Sequence, residues 1–299
     1  MAGGQERELR RRIKSVQSTR KITKAMELIA ASQISRAQSR IAANRPYREG
    51  MARIILEAAA GDRAAAEKLL GVPESISRVV VLVIVGDRGL SGAYNSSVLR
   101  AAERLVSKLK REGTDVTVVA VGKKALSYLR FRGIVAAHSF QGFSDKPTFA
   151  DARDVAAATA APFVQGAADQ VLMVSMRFLS SATQAVETRQ LLPLPEPEGA
   201  AAEATPTDGY TEFEPDVEKL LAELAPAALE SEVFTALLEG SASFHTSQQR
   251  AMAAATENAD ELVRSLTRVM NRARQDSITT EIMEIVGGAE ALRQEKEHA

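Results

Sequence analysis

The segment whose residues could most readily do chemistry is VVVLVIVGDRGLSGAYN, residues 79–95. Its seven leading apolar residues predict a buried strand, and three glycines follow in a short turn at Gly86, Gly89 and Gly92. A strand, a glycine-rich turn and a helix form the usual cradle for a phosphate, because free amides at the start of a helix attract anions. The segment therefore raises nucleotide binding as a first hypothesis.

The spacing of these glycines argues against that hypothesis. The turn reads G-x-x-G-x-x-G instead of the dinucleotide fingerprint G-x-G-x-x-G, and Asp87 would place a carboxylate beside the bound phosphates. The second predicted strand is followed by Lys123 and Lys124, where an acidic residue would have to meet a ribose. The chain also lacks the G-K-S or G-K-T of a triphosphate loop. We therefore expect a structural turn and no bound cofactor.

Ser91 suggests a second chemistry, that of a hydrolase whose serine stands exposed between a strand and a helix. The expected pattern is G-x-S-x-G, but the position of its second glycine is Ala93. His138 or His245 would have to act as the base, and neither has local support. With three histidines and no cysteine in the chain, thiolate zinc sites and cysteine nucleophiles are excluded. We expect no metal site and no catalytic residue.

Charge is balanced over the whole chain but unevenly distributed along it. Residues 1–57 carry 13 Lys and Arg against 5 Asp and Glu, whereas residues 212–299 carry 8 against 17. The two ends should therefore attract each other. A basic end can also indicate nucleic-acid binding, but no aromatic residue precedes Tyr47 to stack on a base. We expect no nucleic-acid partner.

Proline and glycine are nearly absent from long stretches at both ends of the chain. Residues 5–49 contain only Pro46, and residues 241–286 contain neither residue type. Helices of such length, about 68 Å at ~1.5 Å per residue, far exceed an ordinary globular helix. We predict that helices within residues 1–60 and 216–290 pair as a long antiparallel coiled coil. Part of that pair must project or be covered by a partner.

Apolar spacing predicts how the two helices meet. In the carboxyl-terminal helix, steps of three and four residues favour one coiled-coil seam. Its members are Met252, Ala255, Ala259, Leu262, Leu266, Val269 and Ala273. In the amino-terminal helix the apolar stripe shifts twice, so an irregular supercoil is expected. Its members are Leu9, Ile13, Val16, Ile22, Met26, Ile29, Ile34, Ala37 and Ile41.

Between these helices, residues 76–192 alternate between strand-like and helix-like stretches. The predicted strands are residues 79–85, 116–121, 134–137, 171–178 and 183–192. Thr148 and Asp151 form a capping-box pattern that predicts the start of a helix. The alternation favours a mostly parallel sheet with helices on its faces, which is a Rossmann-like α/β domain. The predicted fold class is therefore α/β, and the proline-rich residues 193–215 are predicted to be a linker to the second long helix.

Four motifs stand in the order of one known family. They are IKSVQSTRKITKAMELIAASQISRAQ (13–38), GDRGLSGAYN (86–95), FEPD with ALLEGSAS (213–216 and 236–243), and ARQDSITTEIMEIVGGAEAL (273–292). They resemble the first helix, the signature turn, the approach to the second helix and the carboxyl end of the gamma subunit of bacterial-type F-type ATP synthases. Over residues 96–200 the resemblance is mainly one of pattern.

The resemblance implies a mechanical role without catalytic residues. In that family a coiled-coil shaft lies within a ring of alpha and beta subunits and stands, with the epsilon subunit, on the membrane c-ring. Proton flow turns c-ring, epsilon and gamma together and so drives ATP synthesis in the alpha/beta ring. In the reverse direction, ATP hydrolysis in that ring turns the same parts. The resemblance further implies a peripheral position on the cytoplasmic face of the inner membrane, with membrane association through the complex only.

The resemblance also implies candidate contacts on the amino-terminal helix and in the signature turn. By family position, Met26 lies where rotor meets stator. Three nearby basic residues suit an acidic lever of a beta subunit, although solvated charges are an equal alternative. They are Arg20, Lys21 and Lys24. In the turn, the residues available to neighbouring subunits are Asp87, Arg88 and Ser91.

Further candidate contacts lie on the carboxyl-terminal helix. Gln275 and Thr279 match polar residues of the family near a catch between shaft and beta subunit. Before AMAAATEN the family carries more basic residues, whereas here only Arg250 is charged, which puts a salt-bridged catch at that level in doubt. From the sequence, two other classes remain open: a Rossmann-type enzyme with a coiled-coil oligomerisation arm, and a coiled-coil adaptor.

Overall fold

The computed structural model describes residues 2–61, 75–194 and 216–297. The proline-rich linker predicted over residues 193–215 falls almost entirely outside the described residues. The chain divides into two compact units. We call Met1–Ile29 with Gln249–Ala299 the coil unit, and Ala30–Gln248 the base unit.

Five helices and five strands occupy the part of the chain that the structure describes. The helices are α1 (Ala2–Gly61), α2 (Tyr94–Arg111), α3 (Lys123–Phe131), α4 (Phe149–Val164) and α5 (Val217–Glu297). The strands are β1 (Arg78–Ile84), β2 (Asp115–Val121), β3 (Ala136–Phe140), β4 (Gln170–Phe178) and β5 (Gln184–Leu192). The two long terminal helices were predicted, and both continue through a proline, Pro46 in α1 and Pro226 in α5. Within these described ranges, no helix has the length and apolarity needed to cross a membrane.

In the coil unit, α1 and α5 run antiparallel and meet along a partly polar seam. The hydroxyls of Thr23 and Thr256 share a 2.8 Å hydrogen bond. An ion pair between Arg20 Nε and Asp260 Oδ1, 2.5 Å long, lies one helical turn away. From the first contact to the second, the residue number falls in α1, from 23 to 20, and rises in α5, from 256 to 260. The two helices are therefore antiparallel.

Five of the seven predicted seam residues of α5 are buried or half-buried. The other two, Leu262 and Val269, are 41% and 47% exposed. The buried or half-buried series in the structure is Met252, Thr256, Ala259, Val263, Leu266, Met270 and Ala273. The steps therefore begin with four residues and not with three. Thr256, a polar residue that the apolar pattern could not include, is buried at this step, and the predicted Ala255 is half-buried beside it.

The predicted drift of the α1 seam is wrong. In the coil unit its buried or half-buried series keeps regular steps of four and three. That series is Leu9, Ile13, Val16, Arg20, Thr23 and Glu27. The residues that suggested a shift, Ile22 and Ile29, are 58% and 61% exposed. Arg20 and Thr23 of this series have polar partners on α5, while the apolar Ile22 and Ile29 face outward.

The base unit is built on a mixed five-stranded sheet in the order β3-β2-β1-β4-β5. The first four strands are parallel, and β5 pairs antiparallel with β4. Residues 79–84 of β1 are at most 3% exposed, because helices cover both faces of the sheet. This arrangement confirms the predicted mostly parallel α/β sheet.

Alternate residues of β1 belong to two separate cores. Val81 and Val83 pack with residues of α2 and α3. Leu82 and Ile84, on the other face, pack with residues of α1, α4 and α5. The buried residues of α1 and those of α5 up to Leu237 therefore lie against the opposite face of the sheet from α2 and α3. Phe244 of α5 packs instead in the core with α2 and α3.

Two local predictions in the base unit have different outcomes. The capping box is confirmed, since Thr148 and Asp151 exchange hydrogen bonds at the start of α4. The third strand was predicted too early, at residues 134–137. The Ile134 amide instead donates to the Leu129 carbonyl at 2.8 Å and closes α3, with Gly133 at a φ of 70°. β3 begins only after that closure.

Candidate functional site at the turn after the first strand

The turn between β1 and α2, residues 85–93, lies at the topological switch point of the sheet. β1 pairs with β2 on one side and with β4 on the other, so the strand order reverses between β1 and β4. In open α/β sheets, ligands bind in the crevice at the carboxyl ends of the strands at such a point. What fills this crevice therefore determines what the turn can do.

Helix α5 fills this crevice. A Cβ atom on Gly86 would lie 3.1 Å from Cδ2 of Phe244, and one on Gly240 would lie 3.1 Å from the hydroxyl oxygen of Tyr94. The rings of Tyr94 and Phe244 meet edge to face, with centroids 5.7 Å apart. Burial raises the pKa of the Tyr94 hydroxyl, so this group stays neutral. We call these four residues the joint; it connects the signature turn to the ALLEGSAS segment.

Asp87 uses both carboxylate oxygens inside the base unit. Oδ1 accepts a hydrogen bond from the Lys123 amide at 3.0 Å, and Oδ2 accepts from the amides of Gly142 at 2.9 Å and Ser144 at 3.2 Å. Burial alone would raise the pKa of Asp87, but these hydrogen bonds outweigh it and lower the pKa. The amide donors that a phosphate would need at this edge are therefore taken by the chain's own carboxylate.

Asn95 and Arg88 fix the backbone of the turn. Asn95 Oδ1 accepts from the Gly86 amide at 2.9 Å, and its Nδ2 donates to the Arg88 carbonyl at 2.9 Å. The Arg88 side chain, 66% exposed, forms an ion pair with Asp145. Ser91 is 2% exposed and accepts from Asn95 Nδ2 at 3.3 Å. The geometry thus gives Ser91 a role inside the turn.

The surroundings of Ser91 differ from those of a hydrolase nucleophile. Its hydroxyl is buried, whereas a nucleophile elbow presents an exposed one. His245 is 5% exposed, packs edge to face on Phe244, and has a pKa lowered by burial. His138 lies exposed on β3. Among the described residues, neither histidine forms a hydrogen bond with Ser91.

Leu90 is a candidate contact residue that the sequence did not indicate. Its φ is 62°, in the left-handed region that non-glycine residues rarely adopt, and its side chain is 64% exposed. Such a conformation costs about 1–3 kcal/mol and is found preferentially at functional sites. The sequence gives no signal for this conformation, because leucine rarely adopts the left-handed region.

A polar cluster holds α1 against α5 and β5 within the base unit. Glu232 accepts from Arg48 Nε at 2.9 Å and from Arg189 Nη1 at 2.7 Å. One turn along, Asn44 Nδ2 donates to Thr235 Oγ1 at 2.9 Å. The residue number again falls in α1, from 48 to 44, while it rises in α5, from 232 to 235. The two helices are therefore antiparallel in this unit as well.

The remaining sequence candidates lie in the coil unit, apart from the turn. Arg20 is engaged with Asp260, and Lys24 with Glu27 at 3.0 Å. Lys21 is exposed, and Met26 is half-buried. On α5 the exposed candidates are Arg250, Gln275 and Thr279.

The carboxyl-terminal end of α5 presents apolar side chains outward. Residues 278–289 are exposed without exception. The large apolar side chains among them are Ile278, Ile282, Met283, Ile285 and Val286, between 45% and 72% exposed. Such a row calls for a covering partner, since a contiguous apolar patch of this kind usually marks an interaction site.

Known proteins resemble this chain over nearly its whole length. The ATP synthase family model matches residues 5–292. The ATP synthase gamma chain of a Parafrankia species is 47% identical over 294 residues, covering 97% of this chain and 98% of the relative. The gamma chain of Streptomyces coelicolor is 43% identical, with 97% of each chain covered.

The chain belongs to the ATP synthase gamma-chain family. A gamma chain is a non-catalytic subunit of ATP synthase, which agrees with a turn whose polar groups bond to one another. One solved structure similar to it is the central stalk and c-ring of Tetrahymena thermophila mitochondrial ATP synthase. That likeness has a TM-score of 0.60 and 26% identity, and covers 78% of this chain and 99% of the other.

A more distant likeness supports the gamma-chain fold alone. The rotor of Euglena gracilis mitochondrial ATP synthase matches with a TM-score of 0.63 at 18% identity. That match covers 92% of this chain and 99% of the other. The fold is therefore kept when few residues are shared.

Proposed function

We propose that this gamma chain is the central rotor shaft of its ATP synthase. In this account proton flow through the membrane c-ring turns the chain, and the turning chain drives ATP synthesis in a ring of alpha and beta subunits. ATP hydrolysis in that ring turns it the other way. The complex that this function needs includes an epsilon subunit beside the gamma chain on the c-ring.

The observation that carries the proposal is the uneven outward surface of the coil unit. Polar groups such as Thr23 and Thr256 pair in its seam, while Ile22, Ile29 and Val269 face outward. A rotor drives a surrounding ring only if its contacts with the ring subunits change with angle. Apolar and charged groups facing outward on two dissimilar helices provide such an uneven surface.

The joint supports a structural role for the turn in this function. Gly86 and Gly240 allow β1 and α5 to approach so closely that the edge-to-face pair of Tyr94 and Phe244 fills the crevice. A force on α5 within the base unit would be passed to the sheet through this packed contact, since closely packed interiors deform little.

The candidate contacts are assigned within this proposal. Lys21, Lys24 and Met26 would face a beta subunit, with Arg20 held in place by Asp260. Gln275 and Thr279 would meet the catch of a beta subunit, and Arg250 would lie near it. In the base unit, Arg88 and the strained Leu90 would offer the turn's contact surface. Asp87 and Ser91 would act behind them by holding that surface in shape.

The location follows from the same complex. The chain would lie at the cytoplasmic face of the inner membrane as a peripheral subunit. The exposed apolar row at residues 278–286 would then turn inside an apolar collar of the alpha/beta ring.

Deletion of residues 279–299 in the assembled complex tests the proposal. We expect ATP-driven proton pumping in inverted membrane vesicles to fall relative to ATP hydrolysis, because the shaft loses the end that the collar holds. Replacing Ile282 and Val286 by serine is expected to have a smaller effect in the same direction. The matched control removes the charges of Glu281 and Glu284, both exposed, by replacement with glutamine, and should leave coupling unchanged.

Pumping and hydrolysis that remained fully coupled after the deletion would contradict the shaft role. A coupling loss as large in the glutamine control as in the serine variant would contradict the assignment of the apolar row.

A further inference from the structure

The base unit carries a row of cations that takes no part in the joint. Arg100, Arg104, Lys108 and Arg111 of α2 follow at steps of four, four and three, which places them on one face of the helix. All four are exposed. The apolar face of the same helix is buried against the sheet. We call this row the basic stripe.

The basic stripe has few partners within the chain. Lys108 lies 4.0 Å from Glu112, and Arg111 Nε donates to the Ser107 carbonyl at 3.3 Å. Arg100 and Arg104 form no ion pair with any described residue. Because Glu103 is committed to Arg132, the stripe keeps most of its positive charge for an outside partner.

The end of α3 adds apolar groups to this surface. The ion pair between Glu103 and Arg132 brings the end of α3 against α2 beside the stripe. Next to Arg132 stand the exposed Arg130 and Phe131, whose side chain is 83% exposed; Val135, just after, is 87% exposed. These are the two most exposed large apolar side chains of the described residues.

We propose that the basic stripe, together with Phe131 and Val135, contacts the anionic phospholipid headgroups of a membrane surface. Cations next to an anionic lipid surface gain energy from its negative potential. An aromatic or aliphatic side chain between arginines enters the interface without needing a matching pocket. An acidic protein surface would satisfy the charge, but it would cover Phe131 and Val135 only if it also offered pockets that fit them.

This inference rests on the proposed function, in which the c-ring keeps the base unit near a membrane. It adds a direct contact of the chain with lipid. Tyr94 and Phe244 of the joint pack in the core on this side of the sheet. The basic stripe begins at Arg100, more than one helical turn beyond Tyr94, and lies on the exposed face of α2.

A single-cysteine label tests the contact, because the chain has no cysteine of its own. An environment-sensitive fluorophore is attached to the full chain at Phe131→Cys or, as the matched control, at Val164→Cys, which is 79% exposed at the end of α4. Vesicles of phosphatidylglycerol mixed equally with phosphatidylcholine are expected to shift the emission to the blue at position 131 only. Vesicles of pure phosphatidylcholine should shift neither.

A charge variant provides the second arm. Arg100→Gln with Arg104→Gln should weaken partition onto the mixed vesicles by about fivefold per cation, or about twenty-five-fold together. The control removes two exposed cations from the amino-terminal helix, Arg11→Gln with Arg12→Gln, and should weaken it much less.

Equal shifts at positions 131 and 164, no shift at 131, or equal losses in both charge variants would overturn the proposal. The proposal would also be overturned if the emission at position 131 stayed unchanged with lipid but shifted on addition of an acidic subunit of the complex. The vesicle assay uses no ATP. Its failure is therefore distinct from a failure of the rotor proposal, which shows itself as lost coupling of pumping to hydrolysis.

Discussion

Thr23 and Thr256 join their hydroxyls in a 2.8 Å hydrogen bond inside the buried seam of the coil unit. Each hydroxyl is also within hydrogen-bond distance of a carbonyl on its own helix, that of Arg20 at 3.0 Å and that of Met252 at 2.8 Å. A slip of one helix along the other would leave these hydroxyls without their cross-seam partner and would break the nearby Arg20–Asp260 pair. This polar layer therefore specifies register, as single polar residues do in other coiled coils.

Valine substitutions test whether the two threonines act as a pair. Thr23→Val or Thr256→Val alone should lower the free energy of unfolding by about 1 kcal/mol, because the remaining hydroxyl loses its partner across the seam. The double variant should cost less than the sum, since two apolar groups then meet. Urea unfolding of the four proteins measures the coupling. Strictly additive costs would show that the hydroxyls do not interact.

The joint predicts that Gly240 accepts no side chain. Gly240→Ala should lower the free energy of unfolding by about 1–3 kcal/mol, because the new methyl group would lie against the Tyr94 hydroxyl. Tyr94→Phe removes that hydroxyl. In the Tyr94→Phe background, Gly240→Ala should therefore lower the free energy of unfolding by less. Gly50→Ala in α1 is the control: its Cβ meets nothing within 4 Å, and the change should stabilise by up to ~1 kcal/mol. Equal costs with and without the hydroxyl would remove the steric explanation.

Asp87 predicts a pH dependence with a definite sign. Asp87→Asn should lower the free energy of unfolding at neutral pH by about 1–3 kcal/mol, because the asparagine NH₂ would face an amide donor. Hydrogen bonds lower the folded-state pKa of Asp87. Its contribution is therefore complete above the unfolded-state pKa of about 4 and is lost as the pH falls through the folded-state value.

The difference between the wild-type chain and Asp87→Asn should accordingly shrink below about pH 4. Urea unfolding at neutral and acid pH measures it. The control is Asp154→Asn, at an exposed position on α4, which should change little at either pH. A difference of the same size at both pH values would contradict the assigned role of the carboxylate.

Local patterns predicted most elements of this fold, although β3 begins later than they indicated. The uninterrupted apolar residues 79–85 indicated a strand buried on both faces, and Thr148 with Asp151 marked the start of α4. Each of these signals lies within a few residues of the feature that it predicts.

The inner face of the coil could not be predicted in the same way. Apolar side chains lie on both sides of α1, so hydrophobicity does not distinguish the seam from the outer face. Thr23 is buried because it meets Thr256, while its neighbour Ile22 is exposed. The joint was also hidden, since Tyr94 and Gly240 are far apart in sequence and meet only when α5 crosses the sheet.

Rotation of this chain within its assembled complex tests the central claim most directly. The complex is immobilised through its alpha/beta ring, and a bead is attached to the chain at Val164→Cys, an exposed position in a chain without other cysteines. We predict that ATP makes the bead turn continuously in one direction. A bead that stays in place while the same complex hydrolyses ATP at its normal rate would contradict the rotor account.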